Sequence, residues 1–379
     1  MIKELEVQLK PFLKWPGGKS KELKVIIPEM PKKIRNFYEP FIGGGAVYLS
    51  TTNAKSYFIN DKSKDLIDLY VNIKSVENHI LFQSMLVIDT YWKLIDDIYI
   101  NNRKAFFELY ISFRQSDNIE LKSIIDKLIE NIKDEFICPL EKTFNFDFKF
   151  YIKEIKLNLS RKMSRMKQIE LQKGRLCDTD VDLNILTALK SSFYMYFRLL
   201  YNKPVKYGID TMTFSSIYFF IRNYTYSGMF RYNSSGDFNV PYGGIGYNNN
   251  SLDKKISYIS GDSIQTKLRK TIIECSDFYD FMKSKDLGSD DFIFLDPPYD
   301  TEFSTYDKNE FNANDQVRLA NYLVNEVNCK WMLVIKNTSF IHELYNKKNI
   351  NVKYFDKTYV VSFMNRNDKN VEHLLITNY

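Results

Sequence analysis

The chain has 379 residues, of which 44% are hydrophobic, 16% aromatic and 26% charged, and its formal net charge is +6. This composition is globular and the length allows one large domain or two modest ones, which excludes a short peptide module and wholesale disorder. No apolar run approaches the length of a membrane span, and the first six residues mix charges. We therefore expect no membrane partner, no secretory signal and a cytoplasmic location.

Four cysteines and three histidines are scattered along the chain without C-x-x-C spacing. This pattern predicts neither a disulfide framework nor a metal site. The modest positive charge fits a polyanionic partner, but it is also common in proteins that bind none.

The first part of the chain predicts a β-α-β unit. Residues 36–45 form a strand that ends in a glycine turn, residues 46–50 a helix, and residues 57–60 a second strand that ends at Asp61. Apolar residues then recur at helical spacing and predict a second helix, namely Leu66, Leu69, Tyr70 and Ile73. This alternation favours a doubly wound α/β layer.

The last part of the chain predicts a second β-α-β unit of the same sheet. A buried strand over 291–295, an amphipathic helix over 317–327 and a strand over 331–335 follow one another. The runs 352–363 and 371–377, joined by a polar loop over 364–370, predict a terminal antiparallel hairpin.

The middle of the chain predicts helices. Helical apolar stripes run along 121–132 and 152–166. Residues 231–243 alternate polar and aromatic side chains around Ser235-Gly236, which predicts a hairpin. The simplest architecture is a split α/β domain with a helical insert of about half the chain.

The strongest local motif is Asp296-Pro297-Pro298-Tyr299, directly after the strand over 291–295. Ligands of open α/β sheets bind at the carboxyl ends of strands. An aromatic amine is a poor nucleophile because its lone pair is shared with the ring. The Asp296 carboxylate and the Pro297 carbonyl could accept its two hydrogens, and Tyr299 could stack on the ring. A rigid Pro-Pro turn with an Asp cap is the structural alternative.

The glycine turn Glu39–Gly45 with Asp61 favours a nucleoside ligand. Glycines let the backbone approach a ligand closely, and an acidic residue after the next strand can bind two ribose hydroxyls. Tyr48 stands where a dinucleotide fingerprint needs its third glycine, so a pyrophosphate cofactor is disfavoured. A tight packing turn with a surface Asp is the alternative.

The segment Phe12–Ser20 ends in Gly-Lys-Ser, but Leu13 occupies the position where a phosphate loop needs glycine. Its two glycines beside Trp15 and Lys19 better fit a loop that lies against a cofactor. An ordinary turn is the alternative.

Four motifs in this order together resemble the Dam-type, or D12-class, DNA adenine-N6 methyltransferases. They are FLKWPGGK (12–19), YEPFIGGG (38–45), RYNSSGDFNVPYG (231–243) and LDPPY (295–299). The similarity covers about 10–75 and 213–379, and the residues between make the chain longer than typical members.

The resemblance implies an α/β fold: a Rossmann-like S-adenosylmethionine-dependent methyltransferase sheet with a large helical insert and a DNA-reading hairpin. The catalytic domain would comprise 1–75 and 253–379. The insert and target-recognition domain would comprise 76–252, with the hairpin near 226–243.

The resemblance also implies roles for individual residues. S-adenosylmethionine would be bound by Trp15, Lys19, Glu39, Phe41, Gly43, Gly45, Asp61 and, in a weaker match after a short strand-like run, Asp262. The catalytic tetrad would be Asp296, Pro297, Pro298 and Tyr299. DNA would be contacted by Lys14, Tyr226, Arg231, Asn233 and Pro241. An Arg on such a hairpin can also grip guanine O6 and N7.

The predicted function is sequence-specific methyl transfer to N6 of an adenine flipped out of duplex DNA. A cognate restriction endonuclease and a monomer or weak dimer are the expected partner and state. Cytosine N4, RNA or a protein amide as acceptor, or a catalytically silent DNA-binding subunit of a restriction system, are the alternatives. The target sequence does not follow from the resemblance.

Overall fold

The computed structural model describes residues 9–115, 120–298, 311–358 and 370–379. The chain divides into two compact units. The first comprises Met1–Ser75, Phe230–Gly236 and Ile259–Tyr379, and the second comprises Val76–Met229 and Asp237–Tyr258. The predicted division into 1–75 with 253–379 and 76–252 stays a prediction.

The first unit is built on a mostly parallel β-sheet. Its strands are β1 (Ile34–Glu39), β2 (Ala54–Asn60), β3 (Thr271–Glu274), β4 (Phe292–Leu295), β5 (Lys330–Lys336), β6 (Asn351–Thr358) and β7 (Asn370–Thr377). Its helices are α1 (Leu23–Glu29), α2 (Ala46–Ser50), α3 (Lys64–Lys74), α11 (Asp262–Arg269), α12 (Phe278–Lys283), α13 (Ala313–Asn325) and α14 (Ser339–Tyr345). The two predicted β-α-β units are confirmed.

The seven strands lie in the order β3-β2-β1-β4-β5-β7-β6. Strands β1 to β5 pair in parallel, whereas β7 pairs antiparallel with both β5 and β6. The predicted terminal pair of strands is thus confirmed, and the residues 359–369 between them lie outside the described part. Strand order reverses at β1 and β4, and ligands of such sheets bind where the carboxyl ends flank this reversal.

The core of the first unit explains why the sequences of its central strands are continuous apolar runs. All four residues of β4 are buried, as are Trp331–Ile335 of β5, because helices cover both faces of the sheet. The Trp331 indole donates to the Leu323 carbonyl of α13 at 3.1 Å, which satisfies its buried N–H.

The second unit is helical, as predicted. It contains α4 (Asn78–Gln115), α5 (Leu121–Ile137), α6 (Phe148–Lys173), α7 (Asp178–Asn202), α8 (Pro204–Tyr207) and α9 (Thr211–Tyr224). Its core is aromatic: the Trp92 ring centroid lies 4.4 Å from that of Tyr224 and 5.7 Å from that of Phe220. None of the helices in the described ranges could cross a membrane.

One local prediction is corrected. The strand-like run before Asp262 is helix α10 (Asp253–Ser260), because Ile256 and Ile259 are both buried and are spaced three apart, which is a helical period. Between Arg231 and Gly243, where we expected a hairpin, Tyr232 and Phe238 are isolated bridge residues and 234–235 form a turn, and the hairpin stays a prediction.

The segment contains a tight turn and isolated contacts. The Gly236 N–H donates to the Asn233 carbonyl at 2.9 Å. Thr225 and Tyr242 form an antiparallel bridge, in which the Tyr226 N–H donates to the Pro241 carbonyl and the Gly243 N–H to the Tyr224 carbonyl, each at 3.0 Å. Proline has no N–H to donate, so Pro241 cannot extend a ladder.

Candidate active site

The glycine turn after β1 forms because its backbone adopts angles that other residues resist. Gly43 and Gly45 have φ values of +46° and +69°. A Cβ at Gly43 would lie 2.7 Å from the Trp15 ring, and one at Gly45 would lie 2.6 Å from the Tyr70 hydroxyl. Trp15 therefore packs directly on the turn, so two of the sequence-predicted cofactor segments come together.

Asp61, at the end of β2, fastens this turn. One carboxylate oxygen accepts the Gly43 N–H at 3.0 Å, and the other accepts the Ser63 N–H at 3.0 Å. These two bonds orient the Asp61 carboxylate toward the glycine turn.

Sequence reasoning missed the contribution of β3. The buried Asn60 side chain donates to the carbonyls of Pro40 at 3.1 Å and Ser276 at 3.0 Å, and accepts the Ser276 N–H at 2.9 Å. These bonds tie the segments after β1, β2 and β3 together. The polar Cys275-Ser276-Asp277 after the apolar Ile272-Ile273 was the available signal.

Phe41 faces this third segment. Its ring lies 5.4 Å from Phe278, the first residue of α12, and 5.5 Å from Phe311. Asp262 is exposed on the first turn of α11, the helix that precedes β3, and its assignment to the cofactor stays a prediction. Asp277 and Phe278 directly follow the carboxyl end of β3, so they lie at the edge where ligands of such sheets bind.

Lys19 connects the first loop to the end of β4. Its side chain is 2% exposed, forms an ion pair with the Asp296 carboxylate and donates to the Gly17 carbonyl at 3.0 Å. Asp296 remains 20% exposed. The acid is thus held by a buried cation while one side stays open.

Glu39 is a second carboxyl at this edge. It is fully buried and accepts the Tyr48 backbone N–H, while its Oε2 has no hydrogen-bond partner among the described residues. Burial, followed by the negative charge of Asp296, raises the pKa of Glu39 well above its usual value. A buried carboxyl oxygen without a partner is costly unless a ligand group meets it.

The rest of the tetrad is only partly visible. Pro297 is buried, Pro298 is exposed, and the Pro298 carbonyl accepts a hydrogen bond from the Gln316 side chain at 2.9 Å. Tyr299 lies outside the described residues.

The residues predicted to contact DNA are exposed in both units. Lys14, Arg231 and Asn233 belong to the first unit, and Tyr226 and Pro241 to the second. Within the described ranges no cluster of metal-binding side chains occurs.

Comparison with known proteins assigns this arrangement to a family. The family model of the D12 class N6 adenine-specific DNA methyltransferases matches residues 15–361. The chain belongs to this family. It is an adenine-specific DNA methyltransferase, as the sequence motifs predicted, and membership implies DNA as substrate and a methyl donor of the S-adenosylmethionine type.

Individual relatives span nearly all of this methyltransferase. The type II methyltransferase M.MjaIII of Methanocaldococcus jannaschii is 25% identical, over 98% of this chain and all of the relative. The type II methyltransferase M.CviBI of Paramecium bursaria Chlorella virus NC1A is 26% identical, again over 98% and 100%. A DNA adenine methylase of Haemophilus influenzae is 23% identical, over 89% and 83%.

Proposed function

We propose that this methyltransferase transfers a methyl group from S-adenosylmethionine to N6 of an adenine that is flipped out of duplex DNA at a specific sequence. The observation that carries the proposal is the position of Asp296. It follows β4 at the reversal of strand order, pairs with Lys19 and acts electrostatically on Glu39, the last residue of β1.

The residues at this edge fit S-adenosylmethionine. The glycine turn and Trp15 leave no room for a Cβ at Gly43, Asp61 is oriented toward the turn, and the buried Oε2 of Glu39 has no protein partner in the described ranges. We assign Trp15, Lys19, Glu39 and Asp61 to the cofactor, with Phe41, Gly43 and Gly45 shaping its site. S-adenosylmethionine would supply the activated methyl group.

The chain's own groups would make the amine nucleophilic. In our proposal the Asp296 carboxylate accepts one N6 hydrogen and the Pro297 carbonyl accepts the other, which draws the lone pair out of conjugation with the ring. Lys19 keeps the carboxylate oriented. Tyr299 would stack on the flipped base. No covalent enzyme intermediate would be needed: the N6 nitrogen would bond to the methyl carbon as the sulfonium S–C bond breaks, leaving a neutral thioether, and the surplus N6 proton would be lost to solvent.

Methyl-labelled S-adenosylmethionine and unmethylated DNA of mixed sequence test the proposal. After hydrolysis to nucleosides and chromatography, we expect the label in N6-methyladenine. Label in N4-methylcytosine would overturn the choice of base. An absence of label despite cofactor binding would favour RNA, a protein amide or a catalytically silent subunit.

We further propose that exposed Arg231 and Asn233 read bases, with Lys14, Tyr226 and Pro241 contacting the DNA. An Arg that grips guanine bidentately contributes about 1–3 kcal/mol of discrimination. Arg231→Ala should therefore relax the preferred site by roughly 10-fold or more, with turnover preserved at saturating DNA. Single-molecule sequencing of methylated DNA measures this, and an unchanged site preference would refute the assignment. Lys14→Ala, which should weaken all sites alike, is the control.

The type II names of two relatives also bear on the partner. We propose that this enzyme protects DNA against a cognate restriction endonuclease and acts as a monomer or weak dimer. Resistance of DNA from expressing cells to a panel of endonucleases would identify the protected site.

A further inference from the structure

Gln316 lies outside every motif discussed above, yet it touches the catalytic loop. It sits in the first turn of α13 and is completely buried. Its Nε2 donates to the Pro298 carbonyl at 2.9 Å. The contact joins residues 18 positions apart, so it is a tertiary contact and not part of a local turn.

Stability alone gives no reason for a glutamine here. The Oε1 atom of Gln316 is buried and has no hydrogen-bond partner in the part of the chain that is described. A buried acceptor without a partner costs free energy, whereas an apolar side chain of similar shape would avoid that cost. The bond to Pro298 is the interaction that sets glutamine apart from methionine or leucine at this position.

The first turn of α13, which carries Gln316, is rigid. Asn312 caps α13 by accepting the Asn314 and Asp315 N–H groups, and the Asp315 side chain accepts the Asn312 N–H in return. This reciprocal capping box fixes the first helical turn. Phe311, just before it, packs 5.7 Å from Phe278. A hydrogen-bond donor on such a rigid helical turn can restrain a loop to a fraction of an ångström.

We propose that Gln316 is a positioning residue that sets the direction of the Pro297 carbonyl by holding the next carbonyl in the chain. Both prolines have fixed φ angles, so anchoring the Pro298 carbonyl leaves little freedom in the preceding peptide plane. This inference rests on the proposed function, in which the Pro297 carbonyl accepts an N6 hydrogen. Gln316 itself touches no reacting atom.

Gln316→Met tests the proposal, because it removes the donor and keeps the length of the side chain. We expect kcat to fall by about 10-fold or more, since small misplacements of reacting groups are costly. We expect the Kd for S-adenosylmethionine to stay within twofold and the Tm to be unchanged or higher, because the unsatisfied oxygen is lost too.

Leu323→Ala is the matched control on the same helix. Leu323 is buried in the core, so its truncation should lower the Tm while the kcat of the folded enzyme is kept. A Gln316→Met enzyme with wild-type kcat would overturn the inference. So would one whose lost activity tracked a lowered Tm, as a purely structural role requires.

Gln316→Glu supplies a pH readout. An ionised carboxylate can only accept and would repel the Pro298 carbonyl, whereas a protonated carboxyl can donate to it. The activity of this variant relative to wild type should therefore recover as pH falls, and a flat ratio would overturn the donor role. A wild-type enzyme without methyl transfer would overturn the proposed function, whereas an active wild type with an unaffected Gln316→Met variant overturns only this inference.

Discussion

Two aspartates flank β4, and they differ in their hydrogen bonds and in their exposure to solvent. Asp291 precedes the strand at the amino end of the sheet, and Asp296 follows it at the carboxyl end. Each pairs with a cation from the amino-terminal part of the chain, Arg35 for Asp291 and Lys19 for Asp296.

Both carboxylate oxygens of Asp291 accept hydrogen bonds from the first unit. Its oxygens accept from the Arg35 guanidinium at 2.9 and 2.7 Å, from the Asn36 N–H at 3.1 Å and from the Gly288 N–H at 2.9 Å. Burial acts to raise the pKa of Asp291, but these hydrogen bonds outweigh it and hold the pKa below its usual value. Such an acid has little left to offer a ligand.

Asp296 is less enclosed. Its side chain forms an ion pair with Lys19 and remains 20% exposed, whereas the Asp291 side chain is fully buried. Glu39, whose pKa is raised by burial and by the charge of Asp296, keeps an oxygen without a partner in the described ranges. Exposure, more than charge, therefore distinguishes the two aspartates.

Removal of the Asp296 carboxylate should have the largest effect. Asp296→Ala should lower turnover by about 100- to 1,000-fold, the usual loss when a group that stabilises transition-state charge is deleted. Cofactor affinity should change little, whereas the unfolding free energy should also fall, because the buried Lys19 loses its ion-pair partner. Label transfer and equilibrium binding measure the two, and near-normal turnover would contradict the assignment.

Asp291→Ala should lower stability without lowering turnover. It leaves the partly buried Asn36 and Gly288 N–H groups without their acceptor, so the unfolding free energy should fall by about 2 kcal/mol. Turnover at a temperature where the variant is folded should match wild type. Urea denaturation provides the measurement. The Arg35 side chain is half exposed, so Arg35→Ala should lower the unfolding free energy by less than Asp291→Ala does. An equal loss would show that the two backbone hydrogen bonds to Asp291 contribute little.

The smallest effect concerns Glu39. Its folded pKa is raised, so folding favours the protonated form and the wild type loses stability as pH rises from about 4.5 toward the folded pKa. Glu39→Gln cannot ionise, so its unfolding free energy relative to wild type should increase across that range. Denaturation from pH 4 to pH 8 measures this difference, and a pH-independent difference would contradict the raised pKa.

The sequence predicted the parts of this fold that follow from local patterns of apolar residues and glycines. The apolar runs of β4 and β5 and the glycine turn after β1 mark buried parallel strands and a close backbone approach. The edge strand β3 was not predicted, because it has only four residues and only the first of them is fully buried.

Residues that act through tertiary contacts were also missed. Asn60 and Gln316 lie within ordinary elements, and their importance depends on the distant Ser276 and Pro298. Nothing in local spacing reveals such a partner. The failed strand before Asp262 has a simpler cause, because a short apolar pattern fits either period until burial decides between them.

The pairing of β2 with β3 also constrains the order in which the protein can form. During synthesis β1 and β2 leave the ribosome early, but their partners β3 and β4 emerge only after the whole second unit has been made. That unit consists largely of contiguous helices, so it can fold while the nascent half-sheet still has unpaired edges. Until β3 and β4 arrive, the glycine turn after β1 adjoins a half-sheet with unpaired strand edges, a state that is prone to aggregation.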